Sequence, residues 1–161
     1  MNDDNRKDLE HEGDIAADFL EELLDILDMD GDIDISVEAG RPKIAVVSEG
    51  PSLDLKRLVG PDGEVLDALQ DLARLAVQSE TGAMSRLMLD IADFRAGRKE
   101  QLAEQAREAI AKVKESGQPV ALPSMNAFER KVVHDVVLAA GLASESEGED
   151  PHRHVKVLPA D

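Results

Sequence analysis

Two spacings in this chain bring together groups able to hold a phosphate. The first is Gly60-Pro61-Asp62-Gly63, two glycines three apart, running straight into the apolar-polar stretch Glu64 to Gln70. Glycine has no Cβ, so such a turn bends sharply and lets a ligand approach the main chain. A helix opening behind it offers unpaired N–H groups, which suit an anion. Lys56 and Arg57 add positive charge just before the turn. Its centre works the other way. Pro61 has no N–H to donate, and Asp62 either places a negative charge where phosphate would sit or caps the next helix. The second spacing is Arg130 and His134, four apart and so on one helix face. A guanidinium and an imidazole can both donate to one phosphate. The same spacing also describes an ordinary exposed pair near a helix start, and spacing alone does not separate the two.

Other chemistries find no such grouping. Catalysis by covalent attack or acid–base transfer needs an activated nucleophile or a matched pair. The chain has no Cys, no serine in a strand-turn-helix elbow, and no phosphate loop ending in Lys-Ser or Lys-Thr. It is therefore expected not to be an enzyme. Asp28, Asp30, Asp32 and Asp34 suggest a calcium loop, but placing Gly31 at the sixth position puts Ile26 first and Val37 twelfth, where carboxylates are required. His152 and His154 straddle Arg153 without a third ligand. No metal and no cofactor is expected.

The 161 residues carry a net charge of −17, which opposes simple nucleic-acid binding, but the charge is unevenly spread. Residues 1–85 hold 7 Lys and Arg against 22 Asp and Glu, residues 86–140 hold 9 against 8, and residues 141–161 hold 2 against 5. A polyanion is least repelled by the middle of the chain. Hydrophobic residues make up 42% and aromatics 2%, so the core must be aliphatic and stacking on rings is scarce. Phe19, Phe94 and Phe128 are the three aromatics, and Phe19 is expected in the core. No apolar run reaches the roughly 20 residues of a membrane span. The polar start Met1 to Lys7 holds no signal core, so the protein is expected in the cytoplasm.

The elements that would position these groups can be read from periodicity. Residues 1–12 form a flexible acidic lead. Ile15, Ala16, Phe19, Leu20, Leu23 and Leu27 mark a helix capped by Asp14 and ended by Gly31. Ile33, Ile35 and Val37 alternate with polar residues as a strand, Gly40-Arg41-Pro42 turns, and Ile44 to Val47 returns. Leu53 to Val59 is a short helix before the glycine turn. The helix after it buries Val65, Leu66, Leu69, Leu72, Ala73 and Ala76, and Arg86 to Ile91 is a third strand. A second unit follows. A helix from Phe94 to Ser116 shows one face of Leu102, Ala106, Ala109, Ile110 and Val113 and stops at Gly117. Val120 to Leu122 is a short strand. Asn126 and Glu129 form a capping box for a helix reaching Ala140. Ser144 to Asp150 reads as a solvated acidic loop, and Val155 to Leu158 as a last strand. Arg95, Arg98, Lys99 and Arg107 fall on the first half of the long helix, as a basic stripe or as a solvated face shared with Glu100 and Glu104.

The order α-β-β-α-α-β with Gly-x-x-Gly between the two later helices resembles a type II KH domain, whose loop grips single-stranded nucleic acid. Arg-x-x-x-His is the signature of a second small nucleic-acid-binding domain. Taken with Leu89 to Arg95, Met125 to His134 and Ser144 to Val157, in that order, the chain resembles the Jag family, the SpoIIIJ-associated RNA-binding proteins of bacteria. The resemblance covers about Asp14 to Pro159. It implies an α+β chain with a KH domain over 13–93 and an Arg-x-x-x-His domain over 94–159. It also implies binding of single-stranded RNA, or of single-stranded DNA, in post-transcriptional regulation or as an RNA chaperone, in cell division or envelope growth. The residues it points to are Gly60, Pro61, Asp62 and Gly63 with Lys56 and Arg57, then Arg95, Arg130, His134, Ser146 and Arg153. A heterodimer with a second small KH protein is a further implication. Two departures bear on this. Many members carry a separate N-terminal domain and linker that this chain lacks, and members often have basic residues where this chain has Pro61 and Asp62. The alternative is an adaptor whose acidic KH unit has lost RNA binding and docks a basic protein.

Overall fold

The computed structural model describes residues 2–50 and 53–161. The chain divides into two compact units, Met1–Arg95 and Ala96–Asp161. The division falls two residues beyond the expected boundary, because Phe94 and Arg95 pack on the first unit. Phe94 joins that unit's aliphatic core, and Arg95 donates to the Leu89 carbonyl at 2.6 Å.

In the first unit the order is α1 (Asp3–Ile26), β1 (Asp32–Glu38), β2 (Arg41–Val47), α2 (Leu53–Arg57), a single 3-10 turn at Pro61–Gly63, α3 (Glu64–Thr81) and β3 (Met88–Ile91). The expected α-β-β-α-α-β series is therefore present in an α+β unit. The sheet runs β1-β2-β3, antiparallel then parallel, with Ile44 beside Leu89 and Val46 beside Ile91. The strict alternation of β2 puts Pro42, Ile44 and Val46 into the core and Arg41 and Lys43 on the other face. Pro42, expected in the turn, lies inside β2 opposite Val37. The turn itself is Ala39-Gly40, both at positive φ, the geometry that keeps a two-residue hairpin aligned with strand twist. Helix α1 packs on β1 and β2. It comes so close at Gly13 that a Cβ there would lie 2.7 Å from Ile35 Cγ2.

Three expectations are corrected here. Helix α1 starts at Asp3 with Asn2 as cap, not at Asp14, and it ends at Ile26, five residues before Gly31. Its first two turns have no apolar stripe to signal them. Asp3 and Asp4 at the positive end of the helix dipole and the Arg6–Glu10 pair support it instead. On α3 the buried face is Leu66, Leu69, Ala73 and Val77, while Val65, Leu72 and Leu75 are exposed. The helix carries two apolar stripes, and periodicity alone does not say which one faces inward. At β3, the outer edge is covered by side chains. Gln70 Oε1 accepts from the Leu89 N–H (3.0 Å), Arg95 Nε donates to the Leu89 carbonyl, and Arg74 Nε donates to the Leu87 carbonyl (2.9 Å).

The second unit holds most of α4 (Phe94–Ser116), then β4 (Val120–Ala121), α5 (Ala127–Ala139), β5 (Ala143–Glu147) and β6 (His154–Leu158). Its sheet is antiparallel in the order β4-β6-β5, and α5 packs on β5 and β6. Leu102, Ala106, Ala109, Ile110 and Val113 form the buried face of α4, as the spacing requires, and meet Val133, Val137, Val155 and Val157. Asn126 caps α5 by accepting from the Glu129 N–H at 2.9 Å. The other half of the expected capping box is replaced: the Glu129 carboxylate binds Arg98 at 2.7 and 3.1 Å. The acidic loop expected at Ser144 to Asp150 is largely strand β5, with Ser144 opposite Val157 and Ser146 opposite Val155. Among the described residues no helix is long and apolar enough to cross a membrane.

Candidate nucleic-acid interface

Strand β5 makes a site out of the Arg-x-x-x-His pair. Period-two alternation puts Ser144 and Ser146 on the face that meets α5, with Glu145 and Glu147 on the other. His134, two turns into α5, reaches across to both serines. Its Nδ1 lies 2.6 Å from Ser144 Oγ and its Nε2 2.9 Å from Ser146 Oγ. In the neutral ring one nitrogen donates and the other accepts, so one hydroxyl accepts from the ring and the other donates to it. The imidazole is thus fully occupied and only half-buried. What it offers outward is a fixed orientation of two hydroxyls.

Arg130, one turn earlier, is 13% exposed. Its Nη1 donates to the Met125 carbonyl at 2.8 Å and lies 3.8 Å from Asp150 Oδ1. The Met125 N–H in turn donates to the Arg153 carbonyl at 3.0 Å, which ties the start of α5 to the start of β6. Arg153 extends the β5–β6 ladder on the same face as Val155 and Ser146. Its guanidinium donates to the Gly148 carbonyl at 3.4 Å, and its buried Nε has no partner among the described residues. An orphaned buried donor is costly. Arg130, His134, Ser146 and Arg153 are thus brought to one flank of the α5–sheet layer, and Ser144 joins them. Sequence reasoning misses Ser144, because a serine in an alternating Ser-Glu run gives no sign of which face it takes.

The glycine turn is different. Gly60 (φ 72°), Asp62 (φ 53°) and Gly63 (φ 79°) are all left-handed. The expectation that the first N–H groups of α3 point free at a ligand is corrected, because they are used internally. Val65 and Leu66 both donate to the Val59 carbonyl, at 3.0 and 3.1 Å, Gly63 donates to Gly60, and Glu64 to Pro61. Asp62 makes no cap to α3, whose N-cap is Gly63. The glycines serve close packing. A Cβ at Gly60 would lie 2.5 Å from Val65 Cγ2, and one at Gly63 would lie 2.6 Å from Phe94 Cε1. Lys56 and Arg57 are exposed beside the turn, and Arg57 lies 3.9 Å from Asp54.

Of the expected basic stripe, most charges are neutralised. Arg95 belongs to the first unit and binds Leu89, Asp67 (3.0 Å) and Gln70 (3.3 Å). Arg98 pairs with Glu129. Arg107 binds Glu104 and Glu100, whose hydrogen bonds hold its guanidinium above its ordinary pKa. Lys99 is exposed without an ion pair among the described residues. Among these residues no group of three His, Asp or Glu side chains is placed to hold a metal ion.

Comparison with known proteins agrees with this placement. Residues 100–159 match the family model of the Arg-x-x-x-His domain. The chain is 33% identical over 143 residues to the RNA-binding protein KhpB of Clostridium symbiosum, covering 88% of this chain and 64% of that protein. Identity is 35% over 101 residues to KhpB of Lactiplantibacillus plantarum, covering 62% and 31%, and 28% over 132 residues to KhpB of Bacillus subtilis, covering 79% and 62%. The chain therefore spans less than two thirds of the length of each of these relatives.

Proposed function

The C-terminal unit is an Arg-x-x-x-His domain and the chain is a Jag-type protein, and from that premise we propose that it binds single-stranded RNA, or single-stranded DNA through the same backbone contacts, without catalysing a reaction. The observation that carries this is the gathering of Arg130, Arg153 and the two serines held by His134 on one flank of α5, within the matched domain. Guanidinium and hydroxyl donors suit phosphate oxygens, and backbone contacts of this kind bind without reading sequence. The proposed division of labour is that Arg130, Arg153, Ser144 and Ser146 touch the strand while His134 orients the serines. The protein acts in the cytoplasm as a post-transcriptional regulator or RNA chaperone, in cell division or envelope growth.

The test is fluorescence anisotropy of short single-stranded RNA pools, at low and physiological salt, with wild type and Arg130→Ala/His134→Ala. Loss of charge-assisted hydrogen bonds worth about 1.5–3 kcal/mol corresponds to about tenfold or more in affinity. A folded double variant that binds as tightly as wild type removes this site as the main contact.

One observation favours a second reading. Val65, Ala68, Leu72 and Leu75 form an exposed apolar stripe on α3, beside a glycine turn whose amides are already used. On this reading the KH-like unit is an adaptor that docks a protein, a second small KH protein forming a heterodimer through that stripe. A partner retained after nuclease treatment by wild type, but not by Leu72→Lys, would support it. A pull-down that loses every protein on nuclease digestion would count against it.

A further inference from the structure

On the KH-like unit, Arg41 from β2 and Arg74 from α3 converge on a single atom. Arg41 Nη1 lies 3.6 Å from Met88 Sδ, and Arg74 Nη2 lies 3.8 Å from the same sulfur. The two guanidinium nitrogens are therefore no farther apart than those two distances added together. A thioether is a weak acceptor and carries no charge. Like charges held this close repel one another unless an anion sits between them. Neither guanidinium has a carboxylate partner among the described residues, although the chain has 35 Asp and Glu against 18 Lys and Arg. Glu38, the acid cross-strand from Arg41, is taken by Lys43 at 3.1 Å. Asp90, on β3, accepts from the Ile91 and Arg95 N–H groups. Arg86, exposed and two residues before Met88, brings a third positive charge to the same end of β3.

Both arginines are half-buried, so their stems are held while part of each fork stays open. Arg74 is anchored further by its Nε bond to the Leu87 carbonyl. The place is also separate from the glycine turn. That turn packs on Phe94, beyond the far end of β3, and Arg74 stands ten residues into α3, about 15 Å along the helix. In a unit this acidic, two anchored, convergent and uncompensated guanidiniums have one common fit, a tetrahedral oxyanion gripped by two planar forks.

We propose that Arg41 and Arg74 form a phosphate-binding site on the KH-like unit, distinct from both the glycine turn and the α5 flank, flanked by Arg86. The phosphate is that of a nucleic-acid backbone or of a small phosphorylated molecule. The first source rests on the RNA-binding reading above, and the second does not.

The test uses the full chain and Arg41→Gln, since among the described residues the Arg41 side chain bonds only to Met88 Sδ. In one arm, inorganic pyrophosphate is titrated while the Nε resonances of Arg41 and Arg74 are followed by NMR. In the other, single-stranded RNA is titrated across a salt series. Saturable shifts of both resonances, reduced in Arg41→Gln, are expected. RNA affinity about threefold to tenfold weaker in Arg41→Gln, with a salt slope shallower by about 0.7, identifies the backbone phosphate as the source. Shifts with pyrophosphate but no change toward RNA, or no RNA binding by wild type at all, assign the site to a small phosphorylated ligand. Resonances that stay still with pyrophosphate, together with unchanged RNA affinity and slope, overturn the proposal.

Discussion

Replacing Gly63 by alanine separates two explanations of the glycine turn. If the glycine is there to bring main chain close to a phosphate, the variant should fold and bind RNA poorly. The geometry predicts the reverse. Gly63 sits at φ 79°, where an L-residue costs about 1–2 kcal/mol. The new Cβ would also lie 2.6 Å from Phe94 Cε1, 3.2 Å from Cζ and 3.4 Å from Cδ1, so the ring must move, and overpacking of this kind costs about 1–3 kcal/mol. A combined loss on the order of 3 kcal/mol lowers the Tm of a unit this size by about 12–24 °C. Calorimetry on wild type, Gly63→Ala, Phe94→Leu and the double variant reads both parts. In the Phe94→Leu background the glycine substitution should cost only the backbone part, about 1–2 kcal/mol. An equal cost in both backgrounds would refute the packing argument, as would a fall in Tm of under about 4 °C. At a temperature where the variant is folded, its RNA affinity should match wild type, because the amides behind the turn are already bonded to Val59, Gly60 and Pro61. A selective loss of RNA binding there would return the turn to the role of a clamp.

Two further outcomes follow from the second unit. Ser144→Ala with Ser146→Ala removes both partners of the His134 ring, so stability should fall by about 1–3 kcal/mol in urea unfolding. The ring should then lose its fixed orientation, seen as averaging of its two nitrogen environments by NMR, and RNA affinity should fall with it. Arg98→Ala strands the Glu129 carboxylate, which is 14% exposed, and should cost about 1.5–3 kcal/mol. Adding Glu129→Ala should recover part of that loss, and strict additivity of the two substitutions would show that the pair is not coupled.

Sequence reasoning succeeds where one residue type answers one local need. Asn126 before α5 and the five-residue apolar face of α4 are read directly, because a cap and a 3.6-residue period each have a single structural meaning. It fails where two patterns overlap. Val65 and Leu72 read as buried because α3 is apolar on two faces, and only the position of the sheet decides between them. Ser-Glu alternation in β5 reads as a loop, since neither face is apolar, and what fixes the strand is its ladder to β6 and the histidine above it. Arg130 and His134 are legible as a pair from their spacing alone. That the imidazole is spent on two serines is not, because the partners lie ten and twelve residues away on another element.

The covered outer edge of β3 also bears on how this chain meets others. An open strand edge is a template onto which another strand can hydrogen-bond, extending a sheet between molecules or seeding aggregates. On β3 that template is blocked: the Leu89 N–H and carbonyl and the Leu87 carbonyl are already taken by Gln70, Arg95 and Arg74. The opposite edge, β1, carries Asp32, Asp34 and Glu38, whose charges repel an incoming strand of the same kind. Two copies of this unit therefore cannot fuse their sheets into one. Any lasting association has to come through the helices, and the chain can be abundant in a cell without polymerising through its strands.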